Sequence, residues 1–268
     1  MSKTDAIPLL DQSGRMRGFA NLLSKENGLW WRTRKWWVQS LVWMLISNGI
    51  IALILWVIPA LEPSEGYPPL SEILQVFISI HTVAATIGVI VIVQGAIVGE
   101  KKSGTAEWIL SNPVSRTDFI LSKLLGNALG IMVIILLMQF SVAYFQISIR
   151  YGDLLPLIPF AKAMGLTALT LFFYLTLTLM LGTFFSGRGP VIGISIAVLV
   201  AQEPLGGLLS HWLPWLPWVL PESVMGLVGT VMLEQPLPEK WLIPILSTTI
   251  LSILFIFLAI ERFKRQEF

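Results

Sequence analysis

GEKKSGTAEWILSNPVSRTDFILS, residues 99–122, is a polar stretch set between two long apolar runs, 75–98 before it and 124–148 after it. Each run is longer than the roughly 20 apolar residues that a helix needs to cross a hydrocarbon core about 30 Å thick. Working outward, four further runs qualify: 38–59, 163–185, 190–209 and 241–260. Hydrophobic residues make up 55% of the 268 and charged residues 13%, with a mean hydropathy of +0.77. A soluble domain carries about 25% charged residues. The expected fold is an all-α polytopic membrane protein with six transmembrane helices.

Six spans put both chain ends on one side. Lys3, Arg15, Arg17, Lys25, Arg32, Arg34, Lys35, Lys101, Lys102, Arg116, Lys123, Arg188, Arg262, Lys264 and Arg265 fall on that side, and only Arg150, Lys162 and Lys240 on the other. Acidic residues divide evenly, so the asymmetry is one of cations alone. By the positive-inside rule the termini and the 99–122 loop are cytoplasmic, and the protein is expected in the plasma (inner) membrane. The net charge of +2 gives no sign of nucleic-acid binding. The 37 residues before the first span lack a short apolar core with a cleavage site, so that span reads as a retained anchor and the mature chain as beginning near Met1.

Three parts follow. Residues 1–37 form a cytoplasmic N-terminus, in which RMRGFANLLSKENGLWWRTRKWW (15–37) reads as an amphipathic interface helix with Trp30, Trp31, Trp36 and Trp37 at headgroup level. Residues 38–260 are the six-span domain, with a coupling loop at 99–122 and an outer broken or re-entrant segment at 202–240; 261–268 are a cytoplasmic tail. Pro204, Pro214, Pro217 and Pro221 punctuate the outer segment, and proline breaks helices. Glu203 lies 15 residues beyond Arg188, about 22 Å along a helix, which is short of a full crossing. Either the fifth helix breaks at Glu203-Pro204 or the chain turns back there, and an ionisable group at that depth is a functional candidate or an interfacial cap.

The chain has no cysteine, and its two histidines, His81 and His211, lie in different segments, so no metal site is expected. Gly99-x4-Gly104 has the glycine spacing of a phosphate-binding loop, but Thr105 and Ala106 stand where the lysine and the magnesium-binding hydroxyl must be. Polar residues within the spans are few. Glu203, His81 near the outer end of the second span, Gln139 and the outer-side Trp212 are the candidates for a translocation path, with packing or interfacial roles as the alternative. A cavity among these spans would be apolar and aromatic, suited to a lipid-like or amphipathic passenger. Gly95-x3-Gly99, Gly126-x3-Gly130 and Gly189-x3-Gly193 allow close helix approach, by default within one subunit.

Within the loop, Ser103 and Gly104 can begin a short helix that Asn112-Pro113 ends, giving about two turns parallel to the membrane. Glu100 and Glu107 with Lys101, Lys102 and Arg116 give it mixed charge, and Trp108, Ile109 and Leu110 offer apolar knobs. The pattern Glu100-x3-Gly104-Thr105-x-Glu107, then Pro113-x-Ser115-Arg116 and Lys123, resembles the cytoplasmic loop of the type-2 ABC exporter permeases. The resemblance implies that Glu100, Gly104, Thr105 and Glu107 border or form a coupling helix and that Pro113, Ser115 and Arg116 shape its return. Trp108 stands where the resemblance implies a smaller residue. It further implies a separately encoded ABC ATPase subunit that binds ATP and Mg, a second copy of the permease, and export; this chain would bind no cofactor and catalyse nothing. The alternative reading is an ion- or proton-coupled secondary carrier, which would need paired intramembrane charges. A membrane-embedded enzyme would need clustered His, Asp or Ser groups, and none is visible.

Overall fold

The computed structural model describes residues 12–64, 66–111 and 114–266, without the side chains of 12–17. The expectations for residues 1–11 and for Asn112-Pro113 lie outside the described residues. Among those described there is no strand. Six helical spans are long and apolar enough to cross a membrane: Lys35–Leu61, Leu70–Lys102, Arg116–Tyr151, Leu157–Phe184, Arg188–Leu209 and Leu242–Lys264. Four further helices are described: Gln12–Trp31 before the first span, Thr105–Leu110 between the second and third, and the single turn Leu216–Val219 and Glu222–Met232 between the fifth and sixth.

Every span in the sequence reading is present, and most run past its apolar limits. The second continues through Gly99–Lys102 and the third begins at Arg116, so the 99–122 loop contracts to little more than the short helix and its flanks. Apolar runs mark only what sits in hydrocarbon, whereas a helix ends where its backbone groups find other partners. The third span starts where the Ser115 hydroxyl accepts a hydrogen bond from the Asp118 N–H, 3.0 Å.

The fourth span is the hub and packs on the second, the sixth and Glu222–Met232. Its hydroxyls at Thr167, Thr170, Thr176 and Thr183 donate to carbonyls of their own helix, which lets a threonine-rich segment be buried without orphan donors. Three stretches, Met44–Gly49, Leu53–Val57 and Met132–Leu137, are wound as π-helix. Side chains exploit the wider turn: Gln139 donates to the Ile134 carbonyl five residues back, 3.1 Å, and Asn48 of the first span donates to the Gln139 side chain, 2.8 Å.

Two glycine pairs are filled from within. A Cβ at Gly126 would lie 2.5 Å from Glu26, and one at Gly130 would lie 2.2 Å from the Trp30 ring, so the N-terminal helix lies directly on the third span. Trp30 is therefore buried against Gly130 and not at headgroup level, while Trp31, Trp36 and Trp37 are exposed. Arg188 lies over Gly95 and Gly99. Gly189 and Gly193 differ: nothing stands within 4 Å of a Cβ at either.

The fifth helix does not break at Pro204; it continues to Leu209. One lost donor is tolerable there, because leaving the helix at that depth would strip several backbone groups of partners. The chain then folds back. Gln202 Oε1 accepts from the Glu222 N–H, 3.0 Å, and Ser247 donates to the Val219 carbonyl, 3.0 Å, which returns residues 219–222 to the depth of Gln202. Glu222–Met232 then leads back past Gln75, near the start of the second span. The segment between the fifth and sixth spans thus doubles back alongside the end of the fifth.

Candidate functional site

The short helix Thr105–Leu110 begins at Gly104, whose φ of +70° favours glycine and reverses the chain after the second span. Ser103 and Thr105 hydroxyls share a hydrogen bond of 2.8 Å at this corner. Ala106 and Ile109 point into the protein and are buried, whereas Glu107 is exposed and Trp108 is 71% exposed. The helix thus offers one acid and one indole, and not the three apolar knobs expected from composition. Pro113 lies outside the described residues, and Ser115 caps the third span.

Glu100 and Arg116 face inward and fasten the loop. Lys123, 3% exposed, reaches Glu26 of the N-terminal helix at 2.7 Å and Glu100 at 2.6 Å, and Lys25 adds a contact to Glu100 at 2.9 Å. This ion cluster joins three elements: N-terminal helix, second span and third span. The Arg116 guanidinium donates to the carbonyls of Lys264 at 2.5 Å and Gln266 at 2.6 Å, which adds the end of the sixth span. The short helix thus sits between two spans that are pinned to each other and to the N-terminal helix. Glu26 was not singled out from sequence. No local signal marks it, and the match between Glu26-x3-Trp30 and Gly126-x3-Gly130 has meaning only once the two helices are seen in contact.

The four path candidates are not brought together. His81 lies eleven residues into the 33-residue second span, about 16 Å and a third of the way from the Leu70 end. It is buried, its Nδ1 is 2.9 Å from Ser47 Oγ, and it packs between Phe77 and Phe140. Gln139 belongs to the neighbouring Asn48 and Gln146 network. Both fill the interior between the first three spans. Trp212 is 78% exposed in the turn after the fifth span.

Glu203 instead faces a cleft of about 520 Å³, with Gly206, Gly207, Pro217 and Glu222 among its walls. Gln202 beside it bridges Tyr174 of the fourth span and the Glu222 N–H, so the floor of this cleft is hydrogen-bonded to the hub. The Glu222 carboxyl is held above the ordinary carboxylate range, first by burial and second by the Glu203 carboxylate. Among the described residues no three His, Asp or Glu side chains are grouped as a metal site would require.

A family model described as ABC-2 family transporter protein matches residues 20–214, from the N-terminal helix to beyond the fifth span. Over 218 residues the chain is 26% identical to the uncharacterized transmembrane protein YxlG of Bacillus subtilis (strain 168), which covers 75% of this chain and 81% of that protein. With six spans, a short helix fastened to three of them and a family match across most of its length, the chain belongs to the ABC-2 transporter family and is a multi-pass membrane permease subunit of an ABC transporter, a family that implies an ATPase partner.

Proposed function

We propose that this permease is an exporter half-unit in the plasma membrane, working as a dimer with a separate ATPase docked on Glu107 and Trp108 at a cytoplasmic basic face. The carrying observation is the short helix itself, which exposes those two side chains while Ala106 and Ile109 root it in the protein. Nucleotide-driven closure of the ATPase pair would displace this helix as a rigid body, and the Lys123 cluster and Arg116 would pass the displacement to the second, third and sixth spans. ATP and Mg would belong to the partner.

The open face of the fifth span supports the dimer. Gly189 and Gly193 leave room for another backbone, and Glu203 lies on the same helix at a depth where lipid alone is a poor neighbour for a carboxylate. A second copy laid there would cover both, and apolar walls between copies suit a lipid-like or amphipathic passenger.

Glu107→Arg tests the reading. The variant should insert and dimerise normally but lose most co-purifying ATPase; undiminished capture and hydrolysis would remove the docking role. The Glu203–Glu222 pair is the feature a proton-coupled carrier would use. Transport driven by a pH gradient with no ATPase present would favour that alternative.

A further inference from the structure

At the basic ends of the second, fourth and sixth spans lies a concavity of about 560 Å³ whose walls include Lys101, Lys102, Arg262 and Arg265 together with Phe184 and Gln266. Of the described acids nearest in sequence, Glu261 pairs with Lys264 at 2.8 Å, and Glu100 pairs with Lys25 and Lys123. Among the described residues no carboxylate forms an ion pair with any of the four cations. Like charges gathered in one hollow repel each other, and an anion placed among them relieves that repulsion.

The hollow is built. Lys101 donates to the carbonyls of Phe185 at 2.9 Å and Thr183 at 3.3 Å, where the fourth helix ends. Gln266 also donates to the Thr183 carbonyl, and Arg116 holds the carbonyls of Lys264 and Gln266, so the chain carrying Arg262 and Arg265 is fixed on both sides. Arg262 lies 5.5 Å over the Phe184 ring. Phe184 is 46% exposed, which places a bare apolar wall directly beside the cations. Cations at the ends of spans next to an exposed aromatic match the two halves of a membrane lipid: a phosphate at the boundary and a chain along the helices.

We propose that this hollow binds the phosphate of an anionic phospholipid headgroup. The site rests on the six membrane spans alone and stands or falls separately from ATPase docking. The depth and the apolar wall favour a lipid over an acidic protein surface, and the test separates the two.

The experiment compares wild type with a Lys102→Gln, Arg262→Gln, Arg265→Gln triple variant in nanodiscs of phosphatidylcholine containing phosphatidylglycerol, with retained lipid counted by native mass spectrometry. Wild type should retain phosphatidylglycerol preferentially, and the preference should fall by roughly fivefold per cation removed, at about 1 kcal/mol each. Lys102→Gln alone alters an exposed side chain and should show a single such step, which keeps the test readable if the triple variant is poorly folded. Equal retention by wild type and variants overturns the proposal. So does protection of wild type by millimolar inorganic phosphate without any lipid preference, which would assign the hollow to free phosphate. Loss of ATPase co-purification with lipid preference intact would assign it to the partner protein and likewise overturn the proposal.

Discussion

Lys123 and Glu203 are both charged groups carried by membrane helices, and the fold treats them in opposite ways. Lys123 is closed in, with two carboxylates from two other elements within 2.7 Å and almost no exposure. Glu203 is left open and faces a cleft that has a second acid, Glu222, in its wall. A closed charge ties elements together, because moving any of them bares an ion in a poor solvent. An open charge ties nothing and is free to meet something that arrives. The Lys123 cluster is therefore built to hold shape, and the cleft at Glu203 is open to an arriving group.

The largest test of that contrast is Lys123→Met. It leaves Glu26 and Glu100 without their shared counter-ion, and the expected loss of stability is about 3–5 kcal/mol, whereas Glu203→Gln should stay within about 0.5 kcal/mol. Unfolding of the purified permease in mixed detergent would read both, and similar losses would erase the distinction. Next in size is a pair of glycines. A Cβ at Gly130 would meet the Trp30 ring at 2.2 Å, so Gly130→Ala should cost about 1–3 kcal/mol. Gly193→Ala, with nothing within 4 Å, should be neutral or slightly stabilising in the isolated subunit, since alanine favours helix by up to about 1 kcal/mol.

The smallest effect is one of pH. The Glu222 carboxyl is raised above its ordinary 4.5 by burial and then by Glu203, so the folded protein holds this proton more tightly than the unfolded chain does. Its contribution to stability is fully present below pH 4.5 and is lost as pH rises through the raised value. Glu222→Gln should flatten that slope in a Tm-against-pH series, and Glu203→Gln should reduce it in part. An unchanged slope in both would mean that the two acids do not sense each other.

The six spans were legible because lipid admits few solutions: an apolar run of sufficient length must be a helix. The start of the short helix at Gly104 and its charge at Glu107 were legible from local chemistry and from the family pattern around them. What sequence could not reveal was pairing at a distance. Lys123 and Glu26 are 97 residues apart, and nothing local to either says that they meet. Trp30 read as an anchor because tryptophan favours headgroups, yet the two glycines of the third span made a slot that outcompeted the interface. Pro204 read as a possible break because proline is costly in a helix, but the cost of bare backbone in hydrocarbon is larger.

The slot at Gly126 and Gly130 also bears on motion. Where the side chains of one helix rest on the bare backbone of another, no compressible layer separates them, and their separation cannot vary without a clash or a void. The N-terminal helix and the third span thus share a single set of six rigid-body degrees of freedom where two independent helices would have twelve. Any drift of one within the bilayer is a drift of the other, and a helix of 20 residues lying on that span gives it a grip about 30 Å long on whatever the membrane surface does.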